Sequence, residues 1–133
     1  MDADERGLGT MGINEITEKV IGCAYKVSNA LGPGFLERVY ENALIIELQK
    51  TELKISRQYP IVVRYENTVI GEYIADFLVE NLVLVELKAV EGELAPFHSA
   101  QCLNYLKATG LKVCLLMNFG KTKVKVKRLV NHF

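Results

Sequence analysis

Apolar residues in the first part of the chain recur at intervals of three and four, which is the spacing of one helical face. The first series runs from Ile13 to Leu31 and stops at "GPG", positions 32–34, because proline cannot continue a helix. A second series begins near Phe35 and continues to about Lys50. The pattern predicts two helices that form a helical hairpin.

From position 55 onward the pattern changes to alternation with β-branched residues, which is typical of strands. "ISRQYPIVVRY" and "VIGEYIADFLV" flank a turn-rich "ENT", and "LVLVELKAV" follows as a nearly continuous apolar run, typical of a central strand covered on both faces. Pro96 starts a third helix over 97–108, and "KVCLLMNF" and "KVKVKRLV" predict two further strands. The order α, α, β, β, β, α, β, β predicts an α/β fold, with a mixed sheet of about five strands flanked by helices.

Length and composition describe one domain of ordinary size. The 133 residues predict a flexible leader over 1–12 and a single domain over 13–133. The apolar runs are shorter than the ~20 residues that span a bilayer, and "MDADERG" lacks the basic start of a signal peptide, so a cytoplasmic protein without a membrane partner is expected. Three cysteines without metal-ligand spacing predict buried, reduced thiols.

Charge is balanced over the whole chain but concentrated at one place. Sixteen basic and sixteen acidic residues remove the global positive field that many nucleic-acid binders use. In "KTKVKVKR" four lysines alternate with other residues, and on a strand they would share one face. That face could contact phosphates, or it could protect an edge strand from aggregation. The lysines are Lys121, Lys123, Lys125 and Lys127.

Two opposite charges interrupt the most apolar strand of the chain. Glu86 and Lys88 project to the same face of that strand, where an ionised side chain without a partner costs several kcal/mol. Asp76 on the preceding strand lies opposite Glu86 if the turn is centred on Asn81. A two-residue loop would turn Asp76 away, so the chemistry predicts a loop of odd length or a bulge.

The predicted neighbourhood of two carboxylates and a lysine has a chemical use. Two carboxylates a few Å apart repel each other unless they are protonated or bridged by a cation, and Mg²⁺ takes one or two carboxylates together with waters and phosphate oxygens. A lysine beside them can position a water molecule and stabilise charge on a phosphate. The set is typical of a phosphodiesterase.

The chain also resembles a known family. Asp76 followed by "ELK" at 86–88, on consecutive predicted strands, is similar to the D…(D/E)xK signature of the PD-(D/E)XK nuclease superfamily. "GFLERVY" at 34–40 matches the pattern that names the GxxExxY protein family, a branch placed in that superfamily. The resemblance extends from about Ile13 to Val130 and includes "LGPGFLE", "GEYIADFLVE", "VELKAV", "HSAQCLNYLKATG" and "LLMNFG".

This resemblance implies a restriction-endonuclease-like fold and a nuclease that uses Mg²⁺ or Mn²⁺ to hydrolyse nucleic acid, with DNA ahead of RNA. It implies metal ligands at Asp76, Glu86 and the carbonyl oxygen of Leu87, and a catalytic lysine at Lys88. Supporting site residues would be Glu37 on the helix before the sheet, Tyr40 on the same helical face, and Gln101 on the helix after the ExK strand.

Other interpretations of these residues remain open. His98 could contact phosphate, as the lysines could, or it could cap its helix; Tyr40 could lie in the core. Ser28 stands where the family frequently has a histidine, so any role of that histidine is absent or replaced. The charges could also form only a buried ion-pair network in a structural domain, or a nucleic-acid or protein-binding module without turnover. A homodimer or a protein partner would help so small a chain hold a duplex.

Overall fold

The computed structural model describes residues 11–132, and in this range the chain forms three helices and five strands in the predicted order. The elements are α1 (Ile13–Leu31), α2 (Glu37–Gln49), β1 (Ile55–Tyr65), β2 (Thr68–Val79), β3 (Val83–Lys88), α3 (Pro96–Thr109), β4 (Val113–Asn118) and β5 (Lys125–Val130). The predicted fold class is confirmed. The predicted leader lies outside the described residues except at positions 11 and 12.

The five strands form one mixed sheet in the order β1-β2-β3-β4-β5. Neighbours are antiparallel except β3 and β4, which are parallel and are connected through α3. The two outer strands suit their position, because β1 contains Pro60, which cannot donate to a central ladder, and β5 carries lysines. The central strand β3 is the one that carries Glu86 and Lys88.

Helices cover both faces of the sheet. On one face α1 and α2 pack against alternate residues of β3 and β4, and on the other face α3 packs against the residues between them. The prediction that β3 is covered on both sides is confirmed. The prediction of buried, reduced thiols is also confirmed, since Cys23, Cys102 and Cys114 are free and buried. Within residues 11–132, no helix combines the length and the apolar composition needed to cross a membrane.

Strand β2 changes faces at Asp76. Ala75 and Leu78 both belong to the core under α3, whereas Phe77 and Val79 belong to the core under α1 and α2. Strict alternation would place Ala75 and Leu78 on opposite faces, because they are three positions apart. Asp76 therefore lies where the regular alternation of the strand is interrupted.

The partner strand β1 changes faces at the same level. Ile55 packs toward α1 and α2, but Tyr59 and Ile61 pack toward α3. Between them Gln58 has a φ of 55°, a left-handed backbone that is uncommon for this residue type, and it lies opposite Asp76 in the register. The interruption thus affects both strands together.

The predicted lysine face is wrong for two of its four members. Strand β5 begins only at Lys125, so Lys121 and Lys123 lie in the turn before it. The turn is held from two sides: Lys121 pairs with Glu93 at 2.5 Å, and the backbone N–H of Val124 donates to the hydroxyl of Ser28 at 2.9 Å. The strand thus starts later than the alternation of lysine and valine indicates.

Candidate active site

The turn between β2 and β3 sets which residues of the two strands meet. It contains three residues, Glu80 to Leu82, and the first two of them have positive φ values of 54° and 55°. The resulting register pairs Phe77 with Val85, so Asp76 and Glu86 come next to each other. This confirms the prediction of a loop of odd length.

The ladder between β2 and β3 ends where these two carboxylates begin. Its last pair is Phe77 and Val85, and beyond it the backbone N–H of Asp76 donates to Oε1 of Glu86 at 2.9 Å. In the opposite direction the N–H of Leu87 donates to Oδ2 of Asp76 at 2.8 Å. The two side chains therefore replace backbone partners, and the strands separate with both carboxylates between them.

Burial makes this pair of carboxylates hard to ionise. Desolvation raises the pKa of Asp76 from 3.8 to about 6, opposed by the hydrogen bond from Leu87. Desolvation, followed by the charge of Asp76, raises the pKa of Glu86 from 4.5 to about 8; only 5% of Glu86 is exposed. At neutral pH the pair consequently keeps about one proton, and a cation between the carboxylates would replace it.

Lys88 and Glu37 join the carboxylates from the end of β3 and the start of α2. Glu37 is the first residue of α2, and partial burial raises its pKa against the lowering effect of Lys88 and His98. The half-buried Lys88 also lowers the pKa of Asp76 and of Glu86. The residues predicted for the site from three separate elements are thus within electrostatic range of one another.

Each of the three residues that define the GxxExxY pattern, Gly34, Glu37 and Tyr40, has a distinct place in the structure. Gly34 has a φ of 112°, which an L side chain rarely adopts, and it turns the chain into α2. Glu37 begins α2 within electrostatic range of Lys88. Tyr40 is 1% exposed, and its hydroxyl donates to the carbonyl of Gly32 at 2.6 Å and accepts the N–H of Phe35 at 3.1 Å. Tyr40 therefore holds the turn that presents Glu37.

Gln101 and His98 both lie on α3, but their surroundings differ. Gln101 lines a groove of about 720 Å³ between α3 and the β1–β2 hairpin. His98 interacts electrostatically with Glu37, and its ring packs 4.1 Å from that of Phe97. The Nδ1 atom of His98 is buried and has no hydrogen-bond partner among the described residues.

The lysines of the β4–β5 connection line two adjoining clefts. One, of about 400 Å³, includes Lys121, Lys125, Lys127 and the start of α3. The other, of about 1050 Å³, includes Lys121, Lys123 and Lys125 and is bordered by Leu36 and Ala89, the neighbours of Glu37 and Lys88 in the chain. Lys121, Lys123 and Lys125 therefore line a cleft that adjoins the chain neighbours of Glu37 and Lys88, whereas Lys127 lines only the smaller cleft.

Asn118 is a positioning residue that the sequence analysis missed. Its Oδ1 accepts the N–H groups of Val90 and Gly120, both at 2.9 Å, and its Nδ2 donates to the carbonyls of Val90 and Gly92 at 3.1 and 3.3 Å. The N–H of Phe119 donates to the carbonyl of Lys88 at 2.8 Å. These bonds fix the segment that follows Lys88, and a polar residue ending a fully buried strand was the available signal.

Glu41 is a second residue that sequence reasoning missed. One helical turn after Glu37, it accepts hydrogen bonds from Arg57 Nε at 3.2 Å and from Gln58 Nε2 at 2.6 Å. These bonds attach α2 to the point where β1 changes faces. The charge of Glu41 also raises the pKa of Asp76.

The geometry of the candidate site is now described, and the chain also matches the model of a known family. The model of the PD-(D/E)XK nuclease superfamily matches residues 14–129. The chain belongs to that superfamily. No curated protein and no solved structure matches it. The D…(D/E)xK pattern noted in the sequence lies inside that range, with its aspartate at Asp76 and its ExK part at 86–88.

The donor set of the PD-(D/E)XK site fits a hard divalent cation. Among residues 11–132, no group of three or more His, Cys, Asp or Glu side chains is placed to hold a metal ion. Mg²⁺ does not need such a group, because it keeps several waters and uses one or two carboxylates plus phosphate oxygens. The half-buried Asp76 and the buried Glu86 both have raised pKa values, because desolvation disfavours their charged forms, and they match this requirement.

Proposed function

We propose that this domain is a nuclease that hydrolyses phosphodiester bonds of nucleic acid, with DNA ahead of RNA, and that it belongs to the GxxExxY branch of its superfamily. The observation that carries the proposal is the pair Asp76 and Glu86, buried at the end of a ladder with Lys88 beside them. A structural ion-pair network gains nothing from a second carboxylate beside the buried Glu86, whereas a divalent cation can be held by both carboxylates.

Asp76, Glu86 and the carbonyl oxygen of Leu87 would hold Mg²⁺ or Mn²⁺. When bound, the cation neutralises the two carboxylates and polarises a phosphate oxygen. The residues of the chain perform the remaining tasks. The ammonium group of Lys88 stabilises negative charge on the phosphate and orients the attacking water molecule. Glu37, whose raised pKa favours holding a proton, accepts or returns a proton next to Lys88.

The other predicted site residues act around this centre. Gln101 supports the substrate from α3, and Tyr40 acts through Glu37 by holding the turn before α2. His98 contacts a phosphate of the substrate from the first turn of α3. Lys121, Lys123, Lys125 and Lys127 attract the phosphate backbone along the two clefts beside the site.

A cleavage screen over DNA and RNA substrates with Mg²⁺, Mn²⁺ or a chelator tests the proposal. Lys88→Ala and Asp76→Ala are expected to reduce cleavage by a factor of about 10² or more, because each removes charge stabilisation at the reacting phosphate. Lys112→Ala is the matched control, since Lys112 is exposed at the opposite end of the parallel strand pair. Cleavage that survives Lys88→Ala, or that is indifferent to the chelator, would contradict the mechanism.

A further inference from the structure

We infer that the groove between α3 and the β1–β2 hairpin binds unpaired nucleotides that flank the scissile phosphate. The inference rests on the proposed nuclease function and specifies its substrate: a single strand, or a duplex with an unpaired segment at the site. The groove of about 720 Å³ falls within the range of ligand-binding clefts.

The groove opens next to the proposed catalytic residues. Gln101 and Tyr105 lie one turn apart on α3 and both line it. Tyr105 is buried at the base of the groove in one hydrophobic cluster with Ala75, which precedes Asp76, and with Leu116, which pairs with Glu86 across the sheet. On the opposite wall Tyr73 lies three residues before Asp76 on β2. A strand whose phosphate is bound at the carboxylates would therefore enter this groove.

The chemistry of the lining fits bases rather than a duplex surface. Tyr73 is 48% exposed, and its ring centroid lies 5.7 Å from that of Tyr105, so one face of an aromatic pair remains open. Val62 and Ile70 add exposed apolar surface. Unpaired bases stack on such surfaces, whereas a duplex hides its base faces and presents phosphates outward.

Polar groups in the same groove suit the rest of a nucleotide. The side-chain amides of Gln101 and Asn104 can donate to and accept from base edges. Arg64 and Lys107 supply positive charge for the phosphates, and the described residues that line the groove include no carboxylate. This contrasts with the acidic centre beside it, where Glu37, Asp76 and Glu86 gather.

Binding of labelled oligonucleotides, measured by fluorescence anisotropy with Ca²⁺ in place of Mg²⁺, tests the inference. The probes are a single strand, a blunt duplex, and the same duplex with an unpaired tail. Tyr73→Ala is expected to weaken binding of the single strand and of the tailed duplex about tenfold, which is the value of one base stacked on an aromatic ring. Binding of the blunt duplex should not change.

Two further variants make the result specific. Tyr65→Ala is the matched control, because Tyr65 is 64% exposed on the same hairpin and does not line the groove. It should bind every probe as the wild type does. Asn104→Asp places a carboxylate in the groove at an exposed position and should weaken binding of the unpaired probes, even if Tyr73→Ala folds poorly. Equal binding of blunt and tailed duplexes by the wild type, or equal effects of the two tyrosine variants, would overturn the inference.

The outcomes separate the groove from the catalytic proposal. A preference for unpaired probes that depends on Tyr73, without any cleavage, would support the groove and refute the nuclease. Cleavage that requires Lys88 but shows no dependence on Tyr73 or Asn104 would support the nuclease and refute the groove.

Discussion

Asp76 raises the pKa of Glu86, and Glu86 in turn accepts the backbone N–H of Asp76 at 2.9 Å. The hydrogen bond favours the ionised form of Glu86, but burial and the nearby charge of Asp76 outweigh it and make joint ionisation of the two carboxyls unfavourable. The two carboxylates take the place of backbone partners between β2 and β3. This arrangement is stable only while their negative charge is compensated by a proton or a cation. The site thus responds to both protons and cations, and each response can be measured.

The free energy of unfolding of the metal-free protein should fall as pH rises. Both carboxyls have folded-state pKa values above their ordinary ones, so their stabilising contribution is complete below about pH 4 and is lost as pH rises through about 6 and about 8. The expected loss between about pH 5 and 8 is on the order of 5 kcal/mol. Thermal unfolding over this range measures it.

Glu86→Gln should flatten this pH profile. Glutamine keeps an oxygen that can accept the N–H of Asp76, but it has no proton to lose. Glu72→Gln is the control, because Glu72 is an exposed carboxylate on the same strand as Asp76. If wild type and Glu86→Gln lose stability with the same slope, the buried pair is not the cause.

Divalent cations should stabilise the folded protein at a pH of about 7.5. A cation at 100 times its dissociation constant adds about 2.7 kcal/mol to the free energy of unfolding. Binding should also release about one proton, because the cation replaces the proton that the carboxylates keep. Calorimetric titration with Mg²⁺ or Mn²⁺ in two buffers of different ionisation enthalpy counts that proton. Asp76→Asn should abolish both effects, and an unchanged response would place the cation elsewhere.

Tyr40→Phe should affect stability more than chemistry. It removes a hydroxyl that serves the carbonyl of Gly32 and the N–H of Phe35, and the loss is expected to cost about 1–3 kcal/mol. Cleavage by the folded variant should fall by about threefold or less, whereas Glu37→Gln should reduce it far more. Chemical denaturation and initial rates give the two numbers. Full stability combined with lost cleavage would show that Tyr40 touches the substrate.

Gly120→Ala should destabilise the segment that follows Lys88. A methyl group at this position would overlap the carbonyl group of Val90, so the backbone must move at an expected cost of about 1–3 kcal/mol. Gly22→Ala is the matched control, since Gly22 is exposed in α1 and a methyl group there meets nothing within 4 Å. That control should be stabilised by about 0.5–1 kcal/mol. Similar unfolding midpoints for the two variants would contradict the close approach.

The order of elements and the register at the site follow from local patterns, which is why the sequence predicts them. Helical spacing identifies α1 with both of its ends, and the uninterrupted apolar run identifies β3 as central. The need to bring Asp76 opposite Glu86 requires a turn of odd length, and the structure has one. Each of these features depends on residues that are close in the sequence.

The features that sequence reasoning did not predict depend on distant partners. The change of faces at Asp76 is matched by the backbone of Gln58 on another strand, and nothing in a glutamine signals a positive φ. The late start of β5 depends on Ser28, 96 positions away from Val124. The tasks of Tyr40 and Asn118 are hydrogen bonds to backbone groups, which leave no periodic pattern. Such contacts become visible only when the chain is folded.

Asn118 and Phe119 hold the segment after Lys88 by hydrogen bonds. This has a consequence for folding during biosynthesis. The ribosome adds these residues about thirty positions after Lys88, and the intervening α3 must cross over before β4 can align with β3. In a nascent chain Asp76 and Glu86 can come together early. The segment after Lys88 becomes fixed only after α3 has crossed over and β4 has aligned. Competence for the proposed chemistry would therefore arrive near the end of folding, once β4 lies beside β3.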